Sequence, residues 1–78
     1  MSILPVLSAA KILQVLLRGG FYIARQVGSH LQLKHLKDPR ILVTVARHSR
    51  DISRNTLASI LKQGKLSADE FLKLLKKK

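Results

Sequence analysis

Apolar residues recur with two different periods along this chain, and the changes of period divide it into segments. Between Ser8 and Gly19-Gly20, Ala9, Ile12, Leu13, Val15, Leu16 and Leu17 gather on one arc of a helical projection, with Lys11, Gln14 and Arg18 opposite. That spacing predicts an amphipathic helix with one buried face, capped by Ser8 and stopped by the glycine pair. From Phe21 the period becomes two, which predicts strands over Phe21–Gln26, His30–His35 and Ile41–Ala46. Val27-Gly28-Ser29 and Leu36–Arg40, the latter with Asp38-Pro39, carry the turn chemistry between them. Consecutive strands joined by short turns make an antiparallel meander the economical topology.

After a basic, polar stretch over Arg47–Arg54, helical spacing returns at Leu57, Ile60 and Leu61 and stops at Gly64. Ser67 and Glu70 form a capping box, and Leu66 and Phe71 are spaced as a hydrophobic staple. Phe71, Leu74 and Leu75 then make a second buried stripe. The expected fold is α+β in the order α-β-β-β-α, with the last helix in two pieces and all helices packed on one face of a three-stranded antiparallel sheet.

A sheet covered on one side leaves its other face in water. In the second strand Leu31 and Leu33 point one way, while His30, Gln32 and Lys34 point the other, onto the open face. His35 alternates onto the Leu31 side and reads as a packing residue at the strand end. In the first strand, alternation sends either Arg25 or Gln26 to the open face. Basic turns at Lys37–Arg40 and Arg47–Arg54 would rim it.

Composition sharpens this picture. The 78 residues leave room for one domain over 1–78, with 1–7 as an N-terminal strap and 76–78 as a basic tail. Fifteen Lys and Arg stand against four acids, a net charge of +11 that calls for a polyanionic partner. A hydrophobic share of 46% is too high for a disordered basic tail. The absence of cysteine removes disulfides, thiolate zinc sites and thiol nucleophiles. The apolar start lacks a basic leader, and no run approaches the roughly 18 apolar residues of a membrane span, so a cytoplasmic protein without a membrane partner is expected. No Gly-x-x-x-x-Gly-Lys loop follows a strand, and no small-molecule ligand or cofactor is expected.

The histidines do not read as a metal site. His30, His35 and His48 contain no helical i,i+4 pair and have no clustered carboxylate beside them. Ser29 lacks a positioned acid to orient a histidine base, which argues against nucleophilic catalysis. The helix–Gly64–helix ending is a poor DNA reader, because its second helix opens with Asp69 and Glu70. On spacing alone, His30 reads as a solvated strand residue and His48 as an ordinary loop residue.

The ordered set Gly20-Phe21, Arg25-Gln26, Gly28-Ser29-His30, Val45-Ala46-Arg47-His48, Asn55–Gln63 and Leu66–Leu72 resembles HicA-type toxins, and the opening Leu4-Pro5-Val6 is similar to one subgroup of them. The resemblance spans nearly the whole chain and implies a fold like that of double-stranded-RNA-binding domains. It implies an mRNA-cleaving toxin of a type II toxin–antitoxin system, neutralised by a HicB-type antitoxin that covers the His30 face. The histidine of the Gly-Ser-His motif, here His30, is then the catalytic residue. Two positions depart from the family's pattern: Ala46 stands where proline is common, and Ser49 where glycine is common.

Within that resemblance the chemistry is simple. RNA carries its own nucleophile, the 2′-OH, so the protein needs a base and cations, and a histidine titrates near neutrality. His30 is the expected base, with Lys34 and then Arg25 as candidates to meet developing negative charge. Gly28 and Ser29 hold the turn that presents it and, with Arg25, Gln26 and Lys34, are the expected RNA-binding residues, while His48 contacts phosphate or protonates the leaving oxygen. A non-catalytic basic RNA-binding module on the same fold suits the same residues. With Phe21, Tyr22 and Phe71 as the complete set of aromatics, either function would grip backbone more than bases.

Overall fold

The computed structural model describes residues 3–47 and 50–77. Its elements are α1 (Ala9–Arg18), β1 (Phe21–Val27), β2 (His30–His35), β3 (Leu42–Ala46), α2 (Arg54–Gln63) and α3 (Ala68–Lys76). The strands form one antiparallel sheet in the order β1-β2-β3. This is the expected α+β arrangement, with the final helical segment divided into α2 and α3.

The sheet's covered face is set by β2 and β3. Leu31 pairs with Val45 and Leu33 with Val43, which places four aliphatic side chains together, each at most 3% exposed. They join Ile12, Val15 and Leu16 of α1, Leu57, Ile60 and Leu61 of α2, and Phe71 of α3 in one buried cluster. No polar or charged residue is buried among the described residues, so the core holds by apolar burial alone.

Each helix begins with a serine cap. The Ser8 side chain accepts from the Lys11 N–H and that of Ser53 from the Thr56 N–H. Ser67 and Glu70 form the full capping box, with Glu70 N–H donating to Ser67 Oγ and Ser67 N–H donating to Glu70 Oε1, both at 3.0 Å. The stop of α2 reflects packing. A Cβ at Gly64 would sit 3.1 Å from Phe21 Cζ and 3.2 Å from Val43 Cγ2, so its absence lets the helix end rest on the sheet. The left-handed residue that turns the chain is the next one, Lys65, at φ 56°.

Residues of the N-terminal strap are tied down. Leu7 bridges Ile52, whose N–H donates to Leu7 O at 2.8 Å, and Arg54 Nε donates to Leu4 O at 2.7 Å. The strap therefore anchors the far end of the basic segment that follows β3.

The Glu70 carboxyl is held below its ordinary value of 4.5, first by the Ser67 N–H and then by the Ser67 hydroxyl. A depressed carboxyl stabilises the fold fully above its unfolded value and loses that contribution as the pH falls through the folded one. The thermal midpoint of the wild type should therefore drop on acidification below about pH 4.5 more steeply than that of Glu70→Gln, which keeps the acceptor but does not titrate. Parallel pH profiles in circular dichroism would refute the capping role.

Candidate nucleic-acid interface

The face of the sheet away from the helices is built by cross-strand pairing, because paired residues share a side. On β2 it carries His30, Gln32 and Lys34. Their β1 partners are Val27, Arg25 and Tyr22, and their β3 partners are Ala46, Thr44 and Leu42. The four acids of the chain all lie outside the strands, so this face holds Arg25 and Lys34 with no carboxylate among them.

A β-bulge decides which β1 residue faces this side. The register runs Ile23↔Leu33 and then Arg25↔Gln32, so Ala24 is an extra residue and the alternation slips by one. Arg25 thereby joins the His30 row. Gln26 pairs with Leu31 on the helix side instead, and its Nε2 donates to Gly28 O at 3.1 Å. The structure thus corrects the placement of Gln26: its amide braces the turn and does not line the open face.

The turn itself is a two-residue hairpin loop, Gly28-Ser29. Gly28 has φ 59° and Ser29 a negative φ, the pattern of a type II′ turn, whose twist matches the flanking strands. Arg47 N–H donates to Ser29 O at 2.7 Å and joins the end of β3 to this turn. His30 follows at the start of β2 with its ring exposed, Val27 and Ala46 at its sides.

Distances along the strand rank the cations. Lys34 stands four residues from His30, about 13 Å of strand. Arg25 lies opposite Gln32, hence diagonal to His30 at about 7–8 Å. Arg25 is thus the strand cation nearer to His30, a reversal of the order expected from sequence. Tyr22 and Thr44 share the face and were not singled out by alternation, since their position depends on the pairing register. Arg47 is close to His30 for a similar reason, through its bond to Ser29. His48 lies outside the described residues.

His35 shows how differently a histidine of the same strand can be used. Its Nδ1 accepts from the Lys37 N–H at 3.1 Å, which leaves Nε2 to donate to Gly19 O at 3.1 Å. Its ring meets Phe21 edge-on at 4.8 Å. Nε2 thus ties β2 to the end of α1 and Nδ1 braces the turn that follows β2, in keeping with a packing role. No group of three or more metal-ligating side chains occurs among the described residues, and no described helix is long and apolar enough to cross a membrane.

Open space surrounds Gly28, where an added Cβ would meet nothing within 4 Å. Gly28→Ala should therefore destabilise through its positive φ alone, by about 1 kcal/mol in urea denaturation. A neutral substitution would mean that the hairpin does not need this conformation.

A family model described as the HicA toxin of bacterial toxin–antitoxin systems matches residues 9–66, from the start of α1 to the residue before the α3 cap. No curated protein matches the chain.

Proposed function

The chain belongs to the HicA family of bacterial toxin–antitoxin toxins, and on that premise we propose that it is a metal-independent endoribonuclease that cleaves mRNA with His30 as general base. The observation that carries this reading is the placement of an exposed histidine at the head of the central strand, on a sheet face that holds cations and no acid. His30 takes the proton of a ribose 2′-OH, and the oxygen attacks the adjacent phosphorus. The bond to the 5′-oxygen of the next nucleotide then breaks, and that oxygen is protonated as it leaves. Arg25, diagonal to His30, meets the charge that develops on the phosphoryl oxygens. Lys34 is too far along the strand for the same phosphate and holds a neighbouring one. Gly28 and Ser29 present His30, and Gln26 stiffens their turn.

A toxin of this class has an antitoxin. We assign that partner, of HicB type, to the same face, where acidic groups would pair with Arg25 and Lys34 and cover His30. Antitoxin in excess should then block RNA binding and cleavage together. Cleavage lost while RNA stays bound would put the antitoxin elsewhere.

The deciding experiment is cleavage of a long single-stranded RNA in excess EDTA. His30→Ala should abolish fragments while circular dichroism and RNA affinity stay at wild-type levels, since the ring is exposed and outside the core. Arg25→Gln should slow cleavage by about 10²-fold, the scale of losing one donor to developing charge. Wild-type protein that binds RNA without cutting it would favour the non-catalytic module.

A further inference from the structure

Beyond the Lys34 end of the open face, at the β3 edge, lies a depression of about 420 Å³ lined by Asp38, Arg40, Ile41, Leu42, Gln63 and Lys65. Leu42 connects it to the interface, because it pairs with Lys34 on the open face and is 44% exposed. The polar groups around it are pre-set. Asp38 accepts from Arg40 Nε at 3.0 Å and from Nη2 at 3.3 Å, so the guanidinium is held by its inner edge and Nη1 is left for another acceptor. The carboxyl of Asp38 is held below its ordinary range chiefly by that guanidinium, then by the Arg40 N–H, with Lys65 adding to the effect. Gln63 Oε1 accepts from the Thr44 N–H at 3.2 Å, which leaves its Nε2 as a donor.

Lys65 supplies a second, independent observation. It is the one non-glycine residue with positive φ among the described residues, at 56°, in the left-handed region where glycine or asparagine is the low-energy choice. Its side chain is exposed and lies outside the core. Strained positions of this kind cluster at ligand-contacting sites.

We propose that this depression binds a nucleotide of the RNA some way along from the cleaved bond, with Lys65, Arg40 and Gln63 donating to its phosphate. Its sugar or base lies on Ile41 and Leu42. Two cations against one acid favour an anion, the half-exposed aliphatic floor suits a nucleoside, and Leu42 joins the depression to Lys34 of the open face. The proposal rests on the RNA-cleaving function proposed above and extends its contact surface to a subsite more than 13 Å of strand from His30.

The test is fluorescence anisotropy with the full chain in EDTA, in a His30→Ala background, using a labelled single-stranded oligoribonucleotide long enough to cross the sheet. Lys65→Gln should weaken binding about fivefold near 0.1 M salt and reduce the slope of log affinity against log salt by about 0.7, the loss of one single-strand phosphate contact. Lys65→Arg should restore both. Lys65→Gly should bind as weakly as Lys65→Gln, yet melt no lower than the parent because it relieves the strained backbone. If Lys65→Gln binds like its parent while Arg25→Gln does not, this subsite is refuted and the RNA-binding face stands. Unchanged RNA affinity with weaker antitoxin capture would refute it in favour of a protein contact. If no variant binds RNA, the proposed function falls together with it.

Discussion

Burial of Leu31 and Leu33 against the helices is the constraint from which the rest of the molecule follows. Both sit in the central strand, at most 3% exposed, with Val45 and Val43 beside them. Successive side chains on a strand point to opposite faces, so fixing these two in the core drives His30, Gln32 and Lys34 outward without further specification. A chain of 78 residues has helix enough to cover one side of the sheet. The same burial that stabilises the domain thus creates an uncovered face and determines what stands on it.

The edges of that face are made by small departures from regularity. Ala24 shifts the alternation of β1, which turns Arg25 toward the His30 row and frees Gln26 to hold the hairpin loop. At the other end, Gly64 is kept small so that α2 can rest on Phe21 and Val43, and the left-handed residue that ends the helix falls to Lys65. Each departure costs regular pairing or backbone ease, and each brings a basic side chain to the rim or face of the sheet. Because no described charged residue is buried, such changes leave the core untouched.

Membership in the HicA family gives this geometry a biological setting and leaves the chemistry to the residues themselves. The contrast between His30 and His35 is instructive. They lie five residues apart on one strand, and parity alone separates an exposed ring from one engaged at both nitrogens. On the function proposed above, a site on an open face suits a toxin that a protein partner silences, since one acidic surface can cover His30 and the cations at once.

Much of this was legible in the residues. Periodicity of 3.6 and of 2 marked the helices and strands, Ser8 and Ser67 marked two helix starts, and the outward set of β2 followed from alternation around Leu31 and Leu33. The Ser53 cap was hidden in a run of polar residues, where nothing local distinguishes it from its neighbours. The choice between Arg25 and Gln26 was beyond reach, because a bulge depends on how two strands meet and not on the composition of either. So were the nearness of Arg25 to His30, the tie from Arg47 to Ser29 and the depression beside Lys65, each of which joins segments distant in sequence. Local pattern determined which residues are buried and which are presented, since that requires only the period of one element. Which presented residues stand together was decided by register and packing, which exist only when the elements are assembled.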